Sequence, residues 1–436
     1  MKKLKTAAKE LNSIALPLIV QNMTGVLIAV TDQAIIGRIS LEAFNAVGAV
    51  SSLFMLLAGI FGYISVQFNI DGGKASIKNN GDFADEFSST LILNMIIGLF
   101  FFALFLSFSR PLFSIIYGFE GYMLDTAVSY SRIMSVYLFI QLLLFSFGAF
   151  FKIKKNTKWI LIANLSAAVL NLLLDFILII GMGFGVQAAA ISNVVAKLLS
   201  LFIYVCLCRK EIKITLAKFT IYKTKMISTI KSSIPLMGQE ILEGGVFSLA
   251  MIGIIARIGY YQLTAYLALT LIISFVMMPA YMYGSAILTL VSQIDAKHDK
   301  GSYALLPKVG LLLSATIFIG VAVLLFILRN LFLNLITDNN YATSIASFFM
   351  IFMIFVRLFE VVGIVYKYSL QVIGHSKFVL YRTATVNLIA VVILLLTTQF
   401  FSFGLYGVFV ALLLNYCVTS ILYILKYRKA LSTNLL

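Results

Sequence analysis

Charge is scarce in this sequence. Only 11% of its 436 residues are Asp, Glu, Lys or Arg, against 61% that are hydrophobic; a soluble globular chain carries roughly 25% charge. So few charges cannot cover a soluble surface of this size. A membrane removes the difficulty, because lipid-facing residues are free to be apolar. Histidine is scarcer still. His298 and His375 are the only two, both in expected connections, and no Ser/His/Asp set can be assembled in one place. Cys206, Cys208 and Cys417 sit in apolar context without ligand spacing, which argues against disulfides and a metal framework. No G-x-x-x-x-G-K-[ST] run occurs, and Asp71-Gly72-Gly73-Lys74 is too short to be one, so ATP does not drive the chain directly. No catalytic residue is assigned, and neither an enzyme nor a bound cofactor is expected.

Long apolar sequence is what the chain has in abundance, with a mean hydropathy of +1.03. A spanning helix needs about 20 mostly apolar residues. Twelve segments qualify: 12–36, 42–69, 88–109, 126–150, 159–181, 184–208, 229–256, 260–294, 304–328, 342–372, 378–401 and 403–425. Runs such as Leu91 to Phe100 do not alternate as barrel strands would. The expected fold is therefore an all-α membrane protein of twelve transmembrane helices. The net charge of +16 is spread over short connections and not gathered on one face, so nucleic acid is not an expected partner. The basic start, Met1-Lys2-Lys3-Leu4-Lys5, lacks a following cleavage site and reads as a cytoplasmic N-terminus.

Orientation follows from Lys and Arg placement. With the N-terminus inside, the inside connections hold 25 Lys and Arg, and the outside ones only Arg38, Arg110, Arg257 and Arg329. Both termini are expected in the cytoplasm, and the bilayer expected is the cytoplasmic (inner) membrane. The basic connection 209–228 divides a first lobe, 1–208 (segments 1–6), from a second, 229–436 (segments 7–12). The halves resemble each other. Pro17 and Gln21 correspond to Pro235 and Gln239, Ile35–Ile39 to Ile254–Ile258, Asn171-Leu172 to Asn387-Leu388, and Phe184-Gly185 to Phe403-Gly404, at offsets of 216 to 219. Nearly constant offsets indicate duplication. Two parallel six-helix lobes make an alternating-access transporter with a central cavity.

Charge inside a membrane costs ~2.5–3.5 kcal/mol per residue at a helix centre, and so marks candidate sites. Five acids fall there: Asp32, Asp175, Glu240, Glu243 and Glu360. Gln21, Gly25 and Asp32 recur at +4 and +7 and share one helical face. Asp32 reads as a cavity carboxylate or as the partner of Arg38. Asn171 and Asp175 are one turn apart in segment 5, and segment 6 returns with Ser192 and Asn193 at a similar depth. These oxygens suit Na⁺, or a hydrogen-bond network around a carboxyl proton; a plain interhelical staple is the alternative. Lys197, one turn past Asn193, is a candidate internal counter-charge to Asp175 or Asp32, which favours protons over Na⁺. Glu243 and Glu360 are cavity acids of the second lobe, although Arg357, three residues before Glu360, is placed to pair with it. The cavity wall is expected to carry Phe, Met and Tyr from segments 1, 2, 7 and 8, densest in Met277–Tyr283. Gln21, Met278 and Tyr281 are the candidate substrate-binding residues.

By these residues the chain resembles the MATE family of multidrug and toxin extrusion transporters, within the MOP flippase superfamily. The marks are Pro17-Leu18-Ile19-Val20-Gln21-Asn22, Asp32 ahead of Gly37-Arg38, Asn171-x-x-x-Asp175, Gly185-Val186-Gln187-Ala188-Ala189-Ala190, Pro235 with Glu243 eight residues on, and Met278-Pro279-Ala280-Tyr281 leading to Gln293. The resemblance implies two six-helix lobes and antiport of organic, often cationic, small molecules against H⁺ or Na⁺. It places Asp32, Asn171 and Asp175 at the first-lobe acid site, which would be the metal ligands if Na⁺ is the ion. It places Glu243 at the acid of a second branch of the family, where Glu360 stands for an Asp. Asn193 and Lys197 depart from the family pattern, and the Leu-Arg-Gly-type segments are eroded to Phe151-Lys152-Ile153 and Leu370-Gln371-Val372. A lipid-linked saccharide flippase and a dedicated natural-product exporter are the alternatives, with a membrane-embedded enzyme more remote. The expected partners are a small-molecule substrate and the bilayer, with the chain acting as a monomer.

Overall fold

The computed structural model describes residues 2–37, 41–78, 80–209, 223–295, 300–336 and 340–432. The described chain is a series of helices: α1 (Lys2–Gly37), α2 (Leu41–Lys78), α3 (Asn80–Tyr117), α4 (Gly121–Ile153), α5 (Lys158–Asp175), α6 (Val186–Leu207), α7 (Lys223–Glu240), α8 (Ser248–Ala256), α9 (Tyr260–Asp295), α10 (Lys300–Ile327), α11 (Arg329–Ile336), α12 (Asn340–Val372), α13 (Ser376–Leu395) and α14 (Leu405–Ser432). Three π-helical segments interrupt or extend this order: Phe176–Gly181 after α5, Ile241–Phe247 between α7 and α8, and Leu396–Phe400 after α13. Among the described residues eleven helices are long and apolar enough to cross a membrane; the remaining expected segment, 12–36, lies in α1. The short α11 was not expected, since its eight residues fall in a connection too brief for the composition of a span.

By contact the chain divides into two compact units. One is Val20–Ile234; the other joins Met1–Ile19 to Pro235–Leu436. α1 therefore belongs to the second unit up to Ile19, and α7 enters it at Pro235. In the first unit the core gathers Val50, Phe105, Phe113, Leu142 and Ala189; in the second it gathers Ile255, Val276, Phe318, Met353 and Leu412. Lipid tails are as apolar as these side chains, so helices associate through close packing and polar contacts, not through escape from water. Gly98 shows the packing: a Cβ there would meet Phe139 Cδ2 of α4 at 2.7 Å. Outward-facing apolar side chains such as Phe100, Phe176, Leu312 and Phe400 are left for lipid.

The duplication is visible in the backbone itself. Lys155 and Gly374, 219 residues apart, both take left-handed φ values, 57° and 84°. The bonds Lys155 N to Lys152 O (3.0 Å) and Asn156 N to Phe151 O (2.8 Å) recur as Gly374 N to Gln371 O (3.3 Å) and His375 N to Leu370 O (2.9 Å). Each pair closes a helix with the same two-bond cap. At the other end, Met182 N to Ile177 O (2.9 Å) and Phe184 N to Leu178 O (3.0 Å) recur as Phe401 N to Leu396 O (2.9 Å) and Phe403 N to Thr397 O (2.9 Å). A π segment precedes both of these turns. The offset is 219 on both flanks of α5 and α13, which corrects one sequence pairing. Asn171 corresponds to Ala390, not to Asn387, and Asp175 to Leu394; the shared Asn-Leu dipeptide was a chance match.

Candidate functional site

The first unit places Asn171 and Asp175 on one face of α5, both buried, with Asp175 the last residue before the π segment. Neither Asn171 Nδ2 nor Asn171 Oδ1 has a hydrogen-bond partner among the described residues. Such a buried amide costs a few kcal/mol unless something bonds it (~1–3 kcal/mol). Asn193 turns its amide to Ala189 O of its own helix at 3.0 Å, and Ser192 Oγ donates to Ala188 O at 2.9 Å, so no bond joins Asn193 to Asn171. The Lys197 ammonium lies over the Tyr137 ring of α4, 5.6 Å from its centroid. The side chains of Asp32 and Arg38 lie outside the described residues. Gln21 is half-buried and accepts a bond from Asn22 Nδ2 at 3.4 Å.

The second unit holds two charged centres. In one, Glu243 on the π segment Ile241–Phe247 meets Lys367 of α12, Nζ to Oε2 2.8 Å. Gln239, one turn before Glu243, donates Nε2 to Glu243 Oε1 at 2.9 Å. Gln371, one turn after Lys367, donates Nε2 to Gln239 Oε1 at 2.8 Å. Two i, i+4 pairs on facing helices thus lock together, side by side. Thr383 Oγ1 of α13 lies 3.5 Å from Glu243 Oε1 and 2.7 Å from the Tyr423 hydroxyl of α14. In the other centre Arg357 and Glu360, both on α12, form an ion pair. Arg357 Nη1 also donates to the Tyr416 hydroxyl at 2.9 Å, and Tyr281 donates its hydroxyl to Glu360 Oε1 at 3.3 Å. Glu360 is therefore held between an arginine and a tyrosine. Met278 is buried, at 8% exposure, whereas Tyr281 stays partly exposed. Glu240 stands one turn before Gly244, with its carboxylate beside that glycine.

Sequence reasoning brought Asn171 to Asp175 and Arg357 to Glu360. It did not find the Lys367–Glu243 pair, nor the roles of Gln239, Gln371, Thr383 and Tyr423. The available signal was the repeated i, i+4 spacing, Gln239 to Glu243 and Lys367 to Gln371.

The family model described as MatE matches residues 17–177 and 235–396, one copy in each half. The chain belongs to the MatE family. It is accordingly a multi-pass membrane transporter and not an enzyme. No curated protein matches it. Among solved structures it is similar to an outward-facing multidrug resistance MATE family transporter of the MOP superfamily, with a TM-score of 0.87 at 17% identity over 98% of this chain and 96% of that one. It is similar to a MATE in complex with MaD3S, TM-score 0.89 at 17% identity, with the same coverage. A third is a MOP superfamily transporter from Pyrococcus furiosus for which reverse polarity of the binding pocket is said to suggest a different function; the TM-score is 0.87 at 16% identity, again over 98% and 96%. At these identities the likeness is one of fold.

Proposed function

We propose that this MatE family member is a secondary active exporter, an antiporter that moves organic, lipophilic or cationic compounds out of the cell by alternating access, driven by an inward proton gradient. The observation that carries the reading is the Asn171–Asp175 pair: a wholly buried carboxyl group one turn from an amide with both polar atoms open. Asn171 and Asp175 together suit a hydrogen-bond network around a carboxyl proton. Loss of the proton on one side of the membrane and uptake on the other biases two conformations differently, which is what coupling requires. Na⁺ asks for several oxygen ligands at once, whereas a carboxyl proton asks only for an acceptor such as Asn171 Oδ1.

Each basic side chain that faces an acid in the second half is matched by it, Arg357 by Glu360 and Lys367 by Glu243. With the bases of both charged centres engaged by acids, drug-type export is favoured over a lipid-linked flippase. The chain acts as a monomer in the cytoplasmic membrane with both ends inside, on the bias of its Lys and Arg.

Proteoliposomes test the drive. A proton gradient without Na⁺ is expected to support ethidium export, and a Na⁺ gradient at equal pH is expected not to. Transport driven by Na⁺ alone would overturn the proton reading. A cysteine placed near Lys218, in a background without native cysteines, should be labelled only from the cytoplasmic side.

A further inference from the structure

The second-half acid Glu243 looks like a cation site and is wired against one. Among the described residues, the groups bonded to its carboxylate present hydrogens, not lone pairs. The Lys367 ammonium stands 2.8 Å from Oε2. The Gln239 amide is committed as a donor, because its own oxygen is taken by Gln371 at 2.8 Å and its nitrogen reaches Glu243 Oε1 at 2.9 Å. Thr383 Oγ1 approaches the same oxygen at 3.5 Å. The free acceptor of the relay is pushed to its far end, where Gln371 Oε1 is buried without a partner among the described residues. A hard cation needs oxygens that face it with lone pairs. Here the oxygens of Gln239 and Gln371 face away.

Exposure shows which partner is resident. The Lys367 side chain is 9% exposed and that of Glu243 34%. The lysine reaches the acid from within the packed helices, and the acid is the member open to its surroundings. A paired buried charge adds little stability over an apolar pair of the same shape, so the pair is better understood by what it excludes.

We propose that Lys367 is the ion-specificity determinant of this half: its ammonium is a tethered counter-cation that occupies the place a sodium ion would take at Glu243. An incoming sodium would have to share the carboxylate with a fixed positive charge, which repels it. The carboxylate, accepting from Gln239, and Gln239 Oε1, accepting from Gln371, keep both amides turned as donors. Without the ammonium, a sodium ion at the carboxylate can replace the donated hydrogens and draw the Gln239 oxygen round to itself. Glu243 Oε1 and Oε2, Gln239 Oε1 and Thr383 Oγ1 then form an oxygen cluster of the kind a sodium ion fits. The inference deepens the reading of the chain as a cation-coupled transporter, yet it concerns binding and not drive.

The test is equilibrium binding of sodium-22 alone to the purified full chain in detergent, with no substrate and no gradient. K367M is expected to gain a saturable sodium component that the wild type lacks and that K367M/E243Q loses again; K367R is expected to match the wild type. Sodium binding by K367M no greater than wild type would overturn the proposal. If K367M does not fold, the wild type decides it against E243Q. Equal sodium binding by those two supports a site closed by Lys367, and a loss in E243Q shows that Glu243 takes sodium with the lysine in place. Because no transport is read, failure of proton-driven export would leave this result untouched.

Discussion

The two halves of the chain share turns at corresponding positions and differ in where they carry charge. In the second, each acid of the site holds a base: Glu243 holds Lys367, and Glu360 holds Arg357. In the first, Asp175 is buried one turn from Asn171, whose amide has no hydrogen-bond partner among the described residues, and Lys197 lies over the Tyr137 ring. At the constant offset of 219, Arg357 corresponds to Leu138, Glu360 to Gln141, Lys367 to Gly148 and Asp175 to Leu394. None of the charged positions is repeated. The uncharged contacts are: Asn164 Nδ2 donates to the Tyr204 hydroxyl at 3.2 Å, and Thr383 meets the Tyr423 hydroxyl at 2.7 Å, at corresponding positions. A symmetric scaffold can thus assign its chemistry to one side and neutralise the other.

The sharpest way to break this contrast is to neutralise each side. Asp175→Asn is expected to lower ethidium efflux by roughly tenfold or more, within the usual range of a coupling free energy of ~1–3 kcal/mol. The double change Arg357→Met with Glu360→Gln, which removes charge and counter-charge together, is expected to stay within about threefold of wild type (under ~1 kcal/mol). Equal losses in matched-expression efflux assays would mean that both halves carry the coupling. Next in size is the single change Arg357→Met, which strands Glu360. It should cost about 3 kcal/mol of stability, read by unfolding in detergent, and the double variant should recover most of it. A single variant as stable as the double would show that the two charges are not energetically joined.

The smallest effect tests the shared backbone. Lys155 holds a left-handed φ of 57° where its counterpart is Gly374 at 84°. Lys155→Gly should gain about 1 kcal/mol by relieving the steric cost of a Cβ there, and Gly374→Ala should lose a similar amount. Thermal unfolding of the two variants checks the signs, and matching signs would mean that the two turns are not equivalent.

Much of this was legible in the sequence, for identifiable reasons. Spans show because twenty apolar residues cannot hide, and all twelve expected segments fall on helices. Asn171 with Asp175, and Arg357 with Glu360, show because local spacing on a helix fixes a common face. The Lys367–Glu243 pair joins residues 124 apart, and helix spacing says nothing about which helices meet. The π segments leave no trace in composition, because one widened turn uses the same apolar residues as any other. Asn387 misled because an identical dipeptide outweighed a shift of three residues, which the turns on either side of α13 rule out.

Those π segments also carry a chronology. The wide turn after α5 and the one after α13 stand at the same place in each half, so the half-length ancestor already possessed it when its gene was doubled. The third, Ile241–Phe247, has as its counterpart an unbroken stretch of α1, so it belongs to one descendant only. It is the turn that bears Glu243. The acid and the widened turn that presents it therefore mark where the two halves have diverged. The acid meets the shared frame at Thr383, whose hydroxyl reaches both Glu243 and Tyr423.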